Sequence, residues 1–173
     1  MKVSAIVVAL LPWLAPGASA QDIDDAQIAS VVVTANQVDV DAGRLASSRS
    51  TNREVKAFAQ LMIADHTAVN KSATDLVAKL KVTPRDNPTS QSLKAGGEKN
   101  LAHLKTLGAA AFDKAYVDHE VAYHQQVIDA LDKALIPGAT NEKLKALLIK
   151  VRPAFVAHLE HAKRLQASMQ KER

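Results

Sequence analysis

Apolar side chains recur at helical spacing along four long segments of this 173-residue chain, and no other feature restricts its fold as strongly. The segments cover about residues 24–50, 52–81, 109–135 and 141–170. In the last segment Leu144, Leu148, Phe155 and Leu159 fall on one face, which is the pattern of a helix with one buried side. Aromatic residues make up only 3% of the sequence, which disfavours a large all-β fold. We therefore predict an all-α protein.

The connections between the segments predict how the helices are arranged. Short breaks near residues 51 and 138 each join two long helices into an antiparallel hairpin. The connection over residues 82–108 is long and carries a shorter helix at about residues 91–107. Two hairpins joined by a long crossover form the ferritin-like variant of the four-helix bundle. The alternative is an up-down-up-down bundle with the short helix packed on its end. Pro153 should kink the last helix.

The first twenty residues have the features of a secretory signal peptide. Lys2 provides a positive start, residues 3–14 are apolar but too few to span a bilayer, and Ala18-Ser19-Ala20 forms a small-residue cleavage site. We expect cleavage after Ala20, which leaves residues 21–173 as a single helical-bundle domain in the periplasm or outside the cell. The alternative is a membrane anchor that stays in place. The chain contains no cysteine, so disulfides and thiolate metal sites are excluded.

Polar side chains interrupt the apolar stripe of every long helix close to its middle. With a rise of about 1.5 Å per residue, these positions fall at a similar depth in the bundle. The candidate metal ligands are Asp39, Asp65, His66, Glu120, His124 and His158. Imidazoles and carboxylates from four helices suit a divalent zinc, copper or iron ion. They also suit a purely structural layer of hydrogen-bonded His–Asp and His–Glu pairs, and the sequence favours this second interpretation.

Short motifs follow one another along the chain in a specific order. They include Ala42-Gly43-Arg44-Leu45-Ala46, Val55-Lys56-Ala57-Phe58-Ala59, Asp65-His66, Phe112-Asp113 and His158-Leu159. Together they resemble the family of exported bacterial proteins called domain of unknown function 4142, within the ferritin-like superfamily. The resemblance implies a helical bundle in the cell envelope and implies no particular activity. Glu120 and His124 are four residues apart, which departs from the Glu-x-x-His spacing of di-iron bundles.

Three functions are compatible with these features. The sequence favours a non-catalytic, stress-related protein of the periplasm or envelope, since no phosphate loop, Gly-x-Ser-x-Gly elbow or His-Glu-x-x-His motif is present. One alternative is a metal-binding or metal-linked redox protein that uses the central cluster. The other is a membrane-surface or partner-binding protein that uses the basic C-terminal helix. We expect no nucleic-acid partner, a peripheral envelope association, and a protein partner that the sequence does not identify.

Overall fold

The computed structural model describes residues 23–171, and most of that range is helical. The helices are α1 Asp25–Arg49, α2 Arg53–Lys79, α3 Pro88–Thr106, α4 Ala109–Ala130, α5 Ile136–Gly138 and α6 Glu142–Lys171, with a π-helical turn Leu131–Leu135 between α4 and α5. No strand occurs within residues 23–171, so the all-α prediction is confirmed. The predicted signal peptide, residues 1–20, lies outside the described residues. None of the described helices is long and apolar enough to cross a membrane.

Side-chain caps explain where the helices begin. Asp24 and Gln27 form a reciprocal capping box at the start of α1, and Asn52 accepts hydrogen bonds from two backbone N–H groups of α2. At α3, Asn87 caps a helix whose first residue is Pro88. The sequence predicted a start near residue 91, because this connector is rich in proline. Proline fits the first helical position, where its missing N–H has no intrahelical acceptor.

The second hairpin connection also differs from the prediction. The motif Pro137-Gly138 was expected to form the turn, whereas both residues belong to the helical segment α5. The chain leaves the helical path only at residues 139–141. Thr140 then donates its backbone N–H and hydroxyl to the carboxylate of Asp25, which fixes this connection against the start of α1. At Pro153, α6 continues as a helix.

The contacts between helices match two antiparallel hairpins packed side by side. The four long helices surround a common core, because α1 contacts α2 and α4, and α6 also contacts α2 and α4. The crossover helix α3 lies along α1: Asn87 bonds to the Gln27 carbonyl at one end, and Arg49 bonds to the carbonyls of Leu104 and Leu107 at the other. The short helix therefore runs beside the bundle, as the crossover arrangement requires, and does not sit on its end.

The core consists of two apolar clusters with a polar layer between them. On α1, Ile28 and Val38 belong to the first apolar cluster, and Ala42 and Ala46 belong to the second. Asp39, which is 2% exposed, falls between the two clusters. The same order holds on α2, where His66 lies between Met62 of the second cluster and Ala73 of the first. The fold thus holds a set of buried polar side chains at mid-height.

Candidate metal centre

Each of the four long helices places at least one predicted ligand in this layer. Asp39 comes from α1, His66 from α2, Glu120 and His124 from α4, and His158 from α6. All five are buried, with exposed fractions between 0% and 5%. The sixth candidate, Asp65, lies at the margin, with 43% of its side chain exposed. Neighbouring helical residues point about 100° apart, so His66 faces inward while Asp65 turns toward the surface.

The three imidazole rings pack against one another. The ring centroids are 5.5 Å apart for His66 and His124, 5.2 Å for His66 and His158, and 5.5 Å for His124 and His158. One nitrogen of each ring lies within 4.8 Å of the other two. Phe155 covers the rings of His66 and His124 at centroid distances of 5.1 and 6.3 Å. The three rings therefore surround a common point inside the bundle.

The orientation of Asn36 fixes the tautomer of His66. The Asn36 side-chain nitrogen donates to the Val32 carbonyl over 2.8 Å, so its side-chain oxygen faces His66 Nδ1, also at 2.8 Å. Because that oxygen can only accept, Nδ1 carries the proton and Nε2 carries the lone pair. Asn36 was not among the predicted site residues, although its position three residues before Asp39 on the same face could have indicated it.

Hydrogen bonds also fix the tautomers of His124 and His158. His124 Nδ1 donates to the Glu120 backbone carbonyl over 3.0 Å, which leaves the lone pair on Nε2. His158 Nε2 donates to Asp65 Oδ2 over 2.8 Å, which leaves the lone pair on Nδ1. Ligating histidines characteristically use one nitrogen for the metal and tie the other to a carbonyl or carboxylate.

The three remaining nitrogens have no hydrogen-bond partner within residues 23–171. They are His66 Nε2, His124 Nε2 and His158 Nδ1, and all three are buried. Asp39 Oδ2 lies 3.1 Å from His66 Nε2 and 3.5 Å from His124 Nε2. Two nitrogen lone pairs therefore face one carboxylate oxygen, and a cation or a proton is needed to make that contact favourable. The possible ligand atoms form two overlapping groups, with His66, His124 and His158 in one and Asp39, Glu120 and His124 in the other, so that His124 belongs to both.

The carboxylates of Asp39 and Glu120 are also short of partners. Asp39 Oδ1, both carboxylate oxygens of Glu120 and the Tyr116 hydroxyl are buried and make no hydrogen bond of good geometry in the described part of the chain, although Glu120 lies next to both Asp39 and Tyr116. Burial raises the pKa of Asp39 to about 7. Burial raises the pKa of Glu120 well above its usual range, and the neighbouring Asp39 carboxylate raises it further. In the absence of a cation Glu120 therefore keeps its proton at neutral pH, where Asp39 is about half protonated.

The pKa values of the buried imidazoles shift in the opposite direction and are lowered. Burial, with a smaller contribution from His124 and His158, lowers the pKa of His66 to about 2. Burial and the neighbouring His158 lower the pKa of His124 to about 4. Both rings are therefore neutral at physiological pH, which is the form that binds metals. His119 and His161 lie outside the cluster, where they pack on Tyr123 and Phe58.

These features define a helical-bundle protein with a buried cluster of histidines and carboxylates. The chain belongs to the family described as Domain of unknown function (DUF4142), whose family model matches residues 13–165. This match confirms the resemblance inferred from the sequence motifs. Comparisons with curated proteins and with solved structures find no significant match.

Proposed function

We propose that this chain is an envelope protein whose bundle binds one divalent transition-metal ion. The ligands are His66 Nε2, His124 Nε2, His158 Nδ1 and the carboxylate of Asp39. The observation that carries the proposal is the packing of three buried imidazole rings against one another, each with one nitrogen hydrogen-bonded and the other without a partner among the described residues. Outer partners of this kind orient histidine ligands and raise their basicity.

A purely structural polar layer accounts less well for these contacts. In a layer of that kind, buried polar groups satisfy one another. A proton on Asp39 Oδ2 could be donated to His66 Nε2 or to His124 Nε2, but not to both. His158 Nδ1 would still have no partner among the described residues. Each orphaned buried nitrogen costs about 1–3 kcal/mol, whereas one metal ion satisfies all three.

The donor set indicates the class of metal. Three imidazoles and a carboxylate suit zinc or copper, and the chain has no cysteine that would favour a thiolate site. Nitrogens bound to zinc at about 2.0–2.1 Å stand roughly 3.3 Å apart in a tetrahedron. One nitrogen of each ring lies within 4.8 Å of one nitrogen of each of the other two, so side-chain rotations would draw the ligand nitrogens together on binding. The carboxylates of Asp39 and Glu120 balance the charge of one divalent ion.

The burial of the cluster favours holding an ion over turning over a substrate. Asp39, His66, Glu120 and His124 are each no more than 2% exposed, and Phe155 packs on two of the rings. A non-catalytic role in the envelope, as the sequence favours, agrees with such a site. Export itself stays a prediction from residues 1–20.

Binding through the basic C-terminal helix also stays a prediction. On α6, Arg152 pairs with Asp132 and Lys163 pairs with Glu160, so part of its positive charge is balanced locally. Ile149 is 54% exposed and is the feature of α6 that best fits contact with an apolar partner. One exposed side chain is a small surface compared with the complete donor set of the central cluster.

Thermal unfolding with and without metal tests the proposal. Zinc at one hundred times its dissociation constant should stabilise the protein by about 2.7 kcal/mol, and a chelator should reverse the shift. His66→Ala, His124→Ala and His158→Ala should each abolish the response to zinc. His103→Ala is the matched control, because His103 is exposed on α3 and belongs to no cluster. A wild-type melting temperature unmoved by zinc, copper, iron or chelator, in protein that carries no metal, would contradict the proposal.

A further inference from the structure

We infer that metal ions reach the cluster from the face between α2 and α6, through Asp65 and His158, an inference that rests on the proposed function. Asp65 is the one cluster-linked side chain that is substantially exposed, at 43%. His158, which bonds to it, is 6% exposed at its side chain, and the side chains of Asp39, His66, Glu120 and His124 are at most 1% exposed. The Asp65–His158 hydrogen bond is therefore a polar connection between solvent and the buried nitrogens.

Apolar packing closes the directions along the bundle axis. Met62 and Phe58, both 0% exposed, belong to the second apolar cluster, on one side of the polar layer. Phe155 belongs to the cluster on the other side and contacts the rings of His66 and His124. A hydrated divalent cation would have to give up its water ligands to cross this packing, and the apolar side chains offer no ligands to replace them.

The side facing α3 is also closed by a large side chain. A cavity between α3 and α4 is lined by Asn100, His119 and Tyr123 among other residues. Tyr123 contacts the rings of both His119 and His124, and its hydroxyl donates to the Ala35 carbonyl over 2.9 Å. This hydrogen bond holds the Tyr123 ring between the cavity and the buried histidines.

Two properties of the Asp65–His158 pair suit it to passing a cation inward. The exposed Asp65 carboxylate attracts cations electrostatically, and carboxylate oxygen is itself a ligand for zinc. A cation held by Asp65 competes with the N–H of His158 for the same oxygens, which frees the His158 ring to swing aside. The same ring then supplies Nδ1 as a ligand once the ion has entered. Asp65 is thus a positioning residue for His158 and the first contact for the metal.

Rates of cobalt(II) binding and release, followed by absorbance in stopped flow, test this inference. Asp65→Asn keeps an oxygen that can accept the His158 hydrogen bond but removes the charge. We expect its association rate to fall about tenfold at low salt, the lower end of electrostatic steering effects, without faster release to a chelator. The difference should shrink as the salt concentration rises, because the exposed charge is screened. Asp75→Asn, on the same helix and 51% exposed at its side chain, is the control and should leave both rates unchanged.

The outcomes separate this inference from the proposed function. An unchanged association rate with faster release would mean that Asp65 only orients His158, and it would overturn the access route while leaving the metal site intact. Unchanged association and release would overturn it as well. Wild-type protein that binds no cobalt or zinc would overturn both the metal site and its access route.

Discussion

Asp39 Oδ2 faces two imidazole nitrogens whose protons lie on the opposite side of each ring. The folded protein without metal must therefore keep protons on Asp39 and Glu120, whose pKa values are raised, and none on His66 and His124, whose pKa values are lowered. Between about pH 4.5 and 6.5 the unfolded chain distributes these protons in the reverse way. Folding thus moves protons from the imidazoles to the carboxylates, and the stability of the metal-free protein must depend on pH.

The carboxylates and the imidazoles make the free energy of unfolding change with pH in opposite directions. Between about pH 4.5 and 6.5 the folded and unfolded states bind similar numbers of protons at these four groups, so stability changes little. Above pH 6.5 the unfolded imidazoles are neutral while folded Glu120 keeps its proton, so stability falls as pH rises. Below about pH 4 the unfolded imidazoles still bind protons that folded His66 excludes, so stability falls as pH falls. Urea unfolding of metal-free protein across this range measures both limbs.

Glu120→Gln isolates the carboxylate contribution, because an amide does not titrate. The unfolding free energy of wild type minus that of Glu120→Gln should decline as pH rises above about 4.5, by up to about 1.4 kcal/mol per pH unit. Saturating zinc should remove the decline, since the bound ion replaces the protons. A difference that stays constant between pH 5 and 9 would mean that Glu120 is ionised in the folded protein.

Asn36 provides a second test at the level of one residue. Asn36→Ala leaves His66 Nδ1–H without its acceptor and allows the ring to change tautomer. We expect a loss of about 1–3 kcal/mol in metal-free stability. Zinc affinity should fall about 10–100-fold, as is typical when an outer partner of a histidine ligand is removed. Zinc titration and urea unfolding provide the two readouts, and an unchanged affinity would mean that Asn36 does not orient a ligand.

The packing of α3 against α1 depends on one glycine. A Cβ atom on Gly97 would lie 2.8 and 2.9 Å from the two methyl groups of Val38, whereas one on Gly96 would meet nothing within 4 Å. Gly97→Ala should therefore destabilise the protein by about 1–3 kcal/mol through overpacking. Gly96→Ala should stabilise it by about 0.5–1 kcal/mol, because alanine is favoured over glycine inside a helix. Thermal melts of the two variants give a matched comparison, and equal effects would contradict this packing of α3.

The helices and the polar layer were predictable from the sequence because both depend on local periodicity. Apolar spacing located the four long helices, and the same spacing placed Asp39, His66, Glu120, His124 and His158 on their inner faces. The prediction missed features that depend on packing between helices. The hydrogen bond from His66 to Asn36 requires the register of α2 against α1, and the tautomers follow only from such contacts.

At the scale of the whole molecule, two apolar clusters enclose one layer in which every long helix takes part. A metal ion bound there would link α1, α2, α4 and α6 and would act as a cross-link within a chain that has no disulfides. The layer lies in the middle of the bundle, so an ion there would stabilise both hairpins together. Each folded chain should therefore carry one transition-metal ion.

The metal content of protein purified from the envelope fraction, with no metal added and no chelator used, tests that claim most directly. Elemental analysis should find close to one zinc or copper ion per wild-type chain. The content should remain near one for His103→Ala and fall to background for His124→Ala. Wild-type protein that carries no transition metal, and that takes up none on titration with zinc, copper or iron, would contradict the account.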